Sequence, residues 1–178
     1  LVAEGVAPER AAEAAAVASG DLARARLLAT DDRLALRRRA WHDVPDRLDG
    51  TGATAVEVAD ELLAMITDAM APLAEAQAAE AAELEERVKA RGERGSGRSQ
   101  LEQKHKREAR RYRADEVRAG LTELSRRYRD ELAVSARPAA GIEAVEAIAE
   151  LAREMVRNPN ERLQLVALFL RIGRLATR

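Results

Sequence analysis

From Thr54 to Leu73 the apolar residues Ala55, Val58, Ala59, Leu62, Leu63, Ile66, Met70 and Leu73 return at steps of three and four. That spacing puts them on one face of an α-helix and does not suit a strand, whose faces alternate at every second residue. The remaining chain agrees. Aromatic residues make up 2% of its 178 positions, and Ala, Leu, Glu and Arg, all good helix formers, dominate. The expectation is an all-α fold, a helical bundle long enough to bury a real core.

The most apolar and most sharply bounded stretch is Asn158 to Arg171. Pro159 ends the helix before it, because a proline pushes its predecessor out of the α region. Asn160 is then a natural cap for a last helix. There Leu163, Leu165, Val166, Leu168, Phe169, Leu170 and Ile172 wrap most of the way round, which predicts a central post buried on several sides. Leu163, Val166, Phe169 and Leu170 are expected to face the core.

Ahead of the post, Thr54 and Glu57 fit a capping box at the start of the periodic helix. Pro72 must kink or interrupt that helix. An Ala- and Glu-rich arm then runs to about Arg91, the tip Gly92–Ser99 turns, and a long helix returns from Gln100 to Ala133. Its second half carries the stripe Val117, Leu121, Leu124, Tyr128 and Leu132. Its first half is basic, with Lys104, Lys106, Arg107, Arg110, Arg111 and Arg113 opposite Glu80, Glu83, Glu85 and Glu86. Residues from about 74 to 113 therefore read as a protruding hairpin laced by opposite charges. A further amphipathic helix holds Ile142, Val145, Ile148, Ala149, Ala152, Met155 and Val156.

At the other end, Pro8 opens an alanine-rich helix that Ser19-Gly20 stops, and Asp21 caps a second helix holding Leu22, Ala25, Leu28, Ala29, Leu34 and Leu36. Such a pair has too little apolar area to stand alone. Residues 43–53, with Pro45, Gly50 and Gly52, read as a linker between a unit at 1–42 and the bundle at 54–178. Trp41 is expected to pack at the join. His42 and His105 read as solvent-facing residues without partners for a metal.

Several function classes lose ground on this sequence. The net charge of -1 gives no global attraction to nucleic acid, and the chain has no cysteine for disulfide or thiolate chemistry, which fits the cytoplasm. No apolar run approaches the roughly 20 residues that span a bilayer. The glycines at 92–97 lack the lysine and spacing of a phosphate-cradling loop. The early acids of the helix at 142–156 have no apolar enclosure to raise a pKa, so catalysis is not expected and no cofactor is implied. Lys104, Lys106, Arg107, Arg110, Arg111 and Arg113 remain candidate DNA contacts, but no aromatic residues alternate with them for base stacking. A solvated, charge-paired hairpin is the simpler reading.

Two stretches carry a resemblance. Ala18-Ser19-Gly20-Asp21-Leu22-Ala23-Arg24-Ala25-Arg26-Leu27-Leu28-Ala29 looks like the last helices of the lid in bacterial clamp-loader ATPases. Ala144-Val145-Glu146-Ala147-Ile148, Val156-Arg157-Asn158-Pro159-Asn160-Glu161 and Leu165-Val166-Ala167-Leu168-Phe169-Leu170 resemble the collar of the same proteins, where an Asn-Pro-Asn turn precedes the last apolar helix. In order and composition the chain is similar to the delta-prime type of DNA polymerase III clamp-loader subunit, in its actinobacterial form.

The resemblance implies a piece of a longer subunit that begins in lid-tail helices and ends in a collar-type bundle. It implies no catalysis by this portion and a place in the ring that loads the sliding clamp on primed DNA. Its partners would be the other clamp-loader subunits, with clamp and DNA reached through the whole complex, no membrane, and self-association open to the isolated fragment. Arg24 falls one residue late for the family's ATP-sensing arginine, which stays a candidate contact to nucleotide or to a preceding domain; a surface arginine is the plainer reading. Asn158, Pro159, Asn160, Leu163, Val166, Phe169, Leu170, Arg171 and Arg174 are the implied interface, with parts of the Thr54–Met70 helix. The rival reading is a free-standing nucleic-acid-binding regulator that uses residues 104–113.

Overall fold

The computed structural model describes residues 1–18, 22–30, 32–91, 97–132, 134–155 and 160–177, with the side chains at 13, 16–18, 23, 24, 27, 28, 91 and 177 left aside. Among the described residues there is no strand. A 3-10 turn at Val2–Glu4 leads to α1 (Pro8–Ala18), α2 (Leu22–Thr30), α3 (Asp32–His42) and the short α4 (Val44–Arg47). Then come α5 (Gly52–Ala69), α6 (Ala71–Arg91), α7 (Arg98–Leu132), α8 (Pro138–Glu154) and α9 (Glu161–Thr177). The fold is an all-α helical bundle.

The main core lies where α3, α5, α7, α8 and α9 meet. Val58, Leu62 and Ile66 of α5, Val117, Leu121 and Leu124 of α7, and Ile148 of α8 close on Leu165, Phe169 and Ile172 of α9. Helix α9 packs mainly on α5 and α8, and Phe169 also meets Trp41 of α3. Its outer row departs from the reading of a post apolar most of the way round. Its buried residues are Leu165, Leu168, Phe169 and Ile172, one stripe at helical spacing, while Leu163 is 64% exposed and Val166 and Leu170 are half-buried at the core edge. Asn160 does cap α9: its Oδ1 accepts the backbone N–H of Leu163 at 3.1 Å. Asn158 and Pro159 lie outside the described residues.

Trp41, at the end of α3, fills the centre of the join. It is 3% exposed, and its ring meets Phe169 edge-on, with centroids 6.2 Å apart. Helix α7 makes room with Gly120, where a Cβ would sit 2.0 Å from Cε2 of the indole. Glycine inside a helix costs about 1 kcal/mol relative to alanine, so its use here has a steric reason. The segment expected to be a linker contributes to the same core: Val44 is 0% exposed and Leu48 8%. Gly50 then turns the chain at φ +83°, and Gly173 of α9 lies so close that a Cβ there would come 3.1 Å from the Gly50 nitrogen.

The cap of α5 differs from expectation by one turn. Thr51, not Thr54, is the N-cap, and its side chain accepts the Thr54 N–H at 3.4 Å. Asp49 organises that corner by accepting the Thr51 N–H and both threonine hydroxyls, so the Thr54 hydroxyl is already engaged. Pro72 separates α5 from α6, as expected, and sits at the second position of α6, where its missing N–H costs nothing. The returning helix matches its predicted span to within two residues at the start and one at the end.

The second N-terminal helical stretch comprises α2 and α3, on either side of residue 31, which lies outside the described residues, and its residues serve two cores. Ala25 and Ala29 of α2 pack with Ala14 of α1 in a small satellite cluster, flanked by Leu1, Val6 and Leu34. Ala40 and Trp41 of α3 belong to the main core. An all-alanine centre offers little apolar area, and Glu4–Arg26 and Arg10–Asp32 pair charges across this unit.

Gly120→Ala should lower stability by at least about 2–3 kcal/mol, since a core this dense cannot absorb a methyl group against the indole. Urea denaturation followed through Trp41, the only tryptophan, checks this; an unchanged midpoint would remove the steric account of Gly120. Hydrogen exchange should show α1 and α2 opening well before α5 and α9. Equal protection in both units would contradict the satellite core's weakness.

Candidate functional site

The implied interface lies on α9. Its outer row presents Leu163, Ala167, Arg171 and Arg174, all exposed, above a shallow groove of about 140 Å³ between α8 and α9. Arg171 donates to Glu150 of α8 at 3.0 Å. Arg162 reaches Asp60 of α5 through two hydrogen bonds, 2.6 and 2.9 Å, which fixes the N-terminal end of α9 to α5. Asn160 is exposed at that end, engaged as the cap. Phe169 is fully buried and works within the chain. The outward side of α5 is acidic, with Glu57, Asp60, Glu61 and Asp68 exposed; Glu61 binds Arg47 at 2.6 Å.

On the hairpin, most of the candidate DNA-contacting cations already have acidic partners. Lys104 bridges Glu80, at 2.8 Å, and Glu108, at 3.8 Å. Lys106 reaches Glu102 at 2.5 Å and Arg111 reaches Asp115 at 3.7 Å. Arg113 pairs with Glu161 at the start of α9 and donates to Thr67 of α5 at 3.2 Å, so it fastens the root of the hairpin to the bundle. Arg107 and Arg110 are exposed and make no ion pair among the described residues. His105 departs from expectation. Its side chain is 15% exposed and its Nε2 lies 2.9 Å from Glu80, which the Lys104 and His105 hydrogen bonds hold below the usual glutamate range. Gln77 joins the cluster, donating to the His105 carbonyl and to Glu108.

A third arrangement joins α3 to α7, and nothing in the local sequence announces it. Arg37 meets Glu116 at 2.9 Å with side chains only 12% and 20% exposed. Further along, His42 Nδ1 lies 3.1 Å from Glu123 Oε1, and Arg126 donates to the same oxygen at 2.7 Å. His42, expected to face solvent without a carboxylate nearby, is thus a partner of an acid distant in sequence. Glu123 is 5% exposed. Burial pushes its carboxyl up, but Arg126, the charge of Arg38 and the His42 hydrogen bond outweigh that and hold it below its ordinary 4.5. The one visible hint was position: Glu123 falls beside Leu121 and Leu124, on the flank of the apolar stripe.

Arg24 belongs to α2 by its backbone, and its side chain lies outside the described residues. Among the described residues no helix is long and apolar enough to cross a membrane, and no group of three or more His, Asp or Glu is placed to hold a metal ion. Comparison with protein-family models, curated proteins and solved structures finds no match to this chain.

Two acids should set separate windows of acid sensitivity. A carboxyl lowered in the folded state stabilises above its unfolded pKa and loses that contribution as pH falls through the folded value. For Glu123 the loss begins below 4.5, so Glu123→Gln should destabilise most at neutral pH and progressively less on acidification. Asp49, held down to about 2 by the Thr54 and Thr51 hydrogen bonds, should keep its contribution until the interval from 3.8 to about 2. Denaturation midpoints of Glu123→Gln and Asp49→Asn against wild type at pH 7, 4.5 and 2.5 check both; a pH-independent gap for Glu123→Gln would contradict the assignment.

Proposed function

We propose that this chain is a non-catalytic assembly portion of a bacterial clamp-loader subunit of the delta-prime type, built from lid-tail helices and a collar-type bundle. Its part is structural: it holds a place in the ring that loads the sliding clamp on primed DNA, and it acts in the cytoplasm. The observation that carries this reading is the two-sidedness of α9. One stripe closes the core, while Leu163, Ala167, Arg171 and Arg174 remain exposed along the outer row. Apolar area covered there stabilises association at about 25 cal/mol per Å², before the costs of ordering and lost motion. In a ring, neighbours meet head to tail, so a second face must also be met; the acidic outer side of α5 would supply it.

The order along the chain supports the same reading. A weakly built helix pair with an alanine centre precedes a leucine-rich bundle that ends in an asparagine-capped helix. The alternative, a nucleic-acid-binding regulator, has less support, because Lys104, Lys106, Arg111 and Arg113 are already neutralised by acids of the same chain.

Mixed with the other clamp-loader subunits, the chain should co-elute with them in gel filtration. The double variant Leu163→Glu, Ala167→Glu should lose that co-elution while keeping its helical circular dichroism, since both positions are exposed. Failure of the wild-type chain to join any complex would sink the collar reading. Tight, salt-sensitive binding of labelled DNA by the chain alone would instead support the regulator.

A further inference from the structure

Between α1, α3 and the C-terminal half of α7 lies a cleft of about 880 Å³. Arg10, Arg38, Arg39, Arg126 and His42 line it, against the carboxylates of Glu9, Asp32 and Asp43. Three of the four guanidinium groups have acidic partners. Arg10 approaches Asp32 at 2.5 Å, Arg39 approaches Asp43 at 3.6 Å, and Arg126 is held by Glu123 and Asp130 at 2.7 and 3.1 Å. Arg38 makes no ion pair among the described residues, and its Nη1 is enclosed without an acceptor. Nor does Glu123 relieve it, because that carboxylate is already hydrogen-bonded to His42 and Arg126. The Nη2 of Arg10, on the same cleft, also lacks an aligned acceptor despite its closeness to Asp32.

A guanidinium offers five donors in a fixed fork and cannot shed its charge. A half-buried one that feels the charge of Glu123 but leaves its Nη1 without a hydrogen bond, on the same cleft as a second whose Nη2 has no aligned acceptor, suits an oxyanion from outside the chain. The same helices add apolar lining: Ala14 on α1, and Ala35 and Leu36 on α3, the last 60% exposed. We propose that this cleft binds a small organic phosphate, its oxygens on Arg38 and Arg10 and its carbon body against Ala14, Ala35 and Leu36. A phosphoryl group suits the site better than a carboxylate, because its three oxygens can take the Arg38 fork and the Arg10 donor together. The volume lies within the usual span of small-molecule sites, about 300–1,000 Å³. The lining carries four arginines against three acids, and Glu123 and Asp130 behind Arg126 offset that excess, so a phosphate relies on directed donors and not on net charge.

Calorimetric titration of the chain with phenyl phosphate at low salt tests this. One phenyl phosphate should bind per chain, and more tightly than inorganic phosphate, while phenol should show no binding. Arg38→Gln should weaken phenyl phosphate at least about tenfold. Arg38→Lys, which keeps the charge and loses the fork, should fall between Arg38→Gln and wild type. Arg118→Gln, exposed on α7 and outside the cleft lining, should stay within about twofold of wild type. Leu36→Ser should lower affinity for phenyl phosphate and leave inorganic phosphate unchanged. Trp41 fluorescence confirms that each variant is folded. Absence of binding by wild type, or equal affinity in wild type and both Arg38 variants, would overturn the proposal. Equal affinity for phenyl and inorganic phosphate would overturn its organic part.

Discussion

The indole of Trp41 is the piece around which the bundle closes. It arrives on α3, lies against the bare backbone of α7 at Gly120, and turns an edge toward Phe169 of α9. One side chain therefore sets the separation of three helices that are distant in sequence. Dense interiors resist changes of even one methylene, so the spacing it imposes extends to the leucine and isoleucine layers on either side. The Gly50–Gly173 approach plays the same part at the far end of α9, where backbone meets backbone with no side chain between.

Around that apolar centre the chain places ion pairs at the joins between helices. Arg37–Glu116 and the His42–Glu123–Arg126 group tie α3 to α7, Arg162–Asp60 ties α9 to α5, and Arg113–Glu161 ties the hairpin's root to α9. Of these, Arg37–Glu116 and the Glu123 group are the most enclosed. Buried pairs of this sort contribute little net stability but are costly to break singly, so they define which helix faces meet more than how strongly. The exposed pairs along α6 and α7 contribute less still.

Helix type and position were legible because they depend on local spacing. The stripes on α5 and on the second half of α7, the break at Pro72 and the Asn160 cap follow from residues within a few turns of one another. What the sequence hid was pairwise and remote. Whether Leu163 or Leu165 faces inward depends on where α5 and α8 lie, not on α9 itself. The partnership of His42 with Glu123 crosses 81 positions of the chain, and the residues of α2 and α3 divide between two cores. Much the same holds for the cations of the hairpin: composition announced the charge, and only the fold disclosed which acids had already neutralised it.

Helix α7 is continuous for 35 residues. Its far half belongs to the hairpin and its near half carries Val117, Leu121 and Leu124 into the core. At 1.5 Å per residue, roughly 30 Å separate Arg98 from Val117. Mechanically this is a cantilever whose fulcrum is the Arg113 anchorage and whose short end rests on tryptophan. A sideways load on the outer end arrives magnified at the seat of the indole, which makes the heart of the bundle the place where a tug on its most distant point is felt.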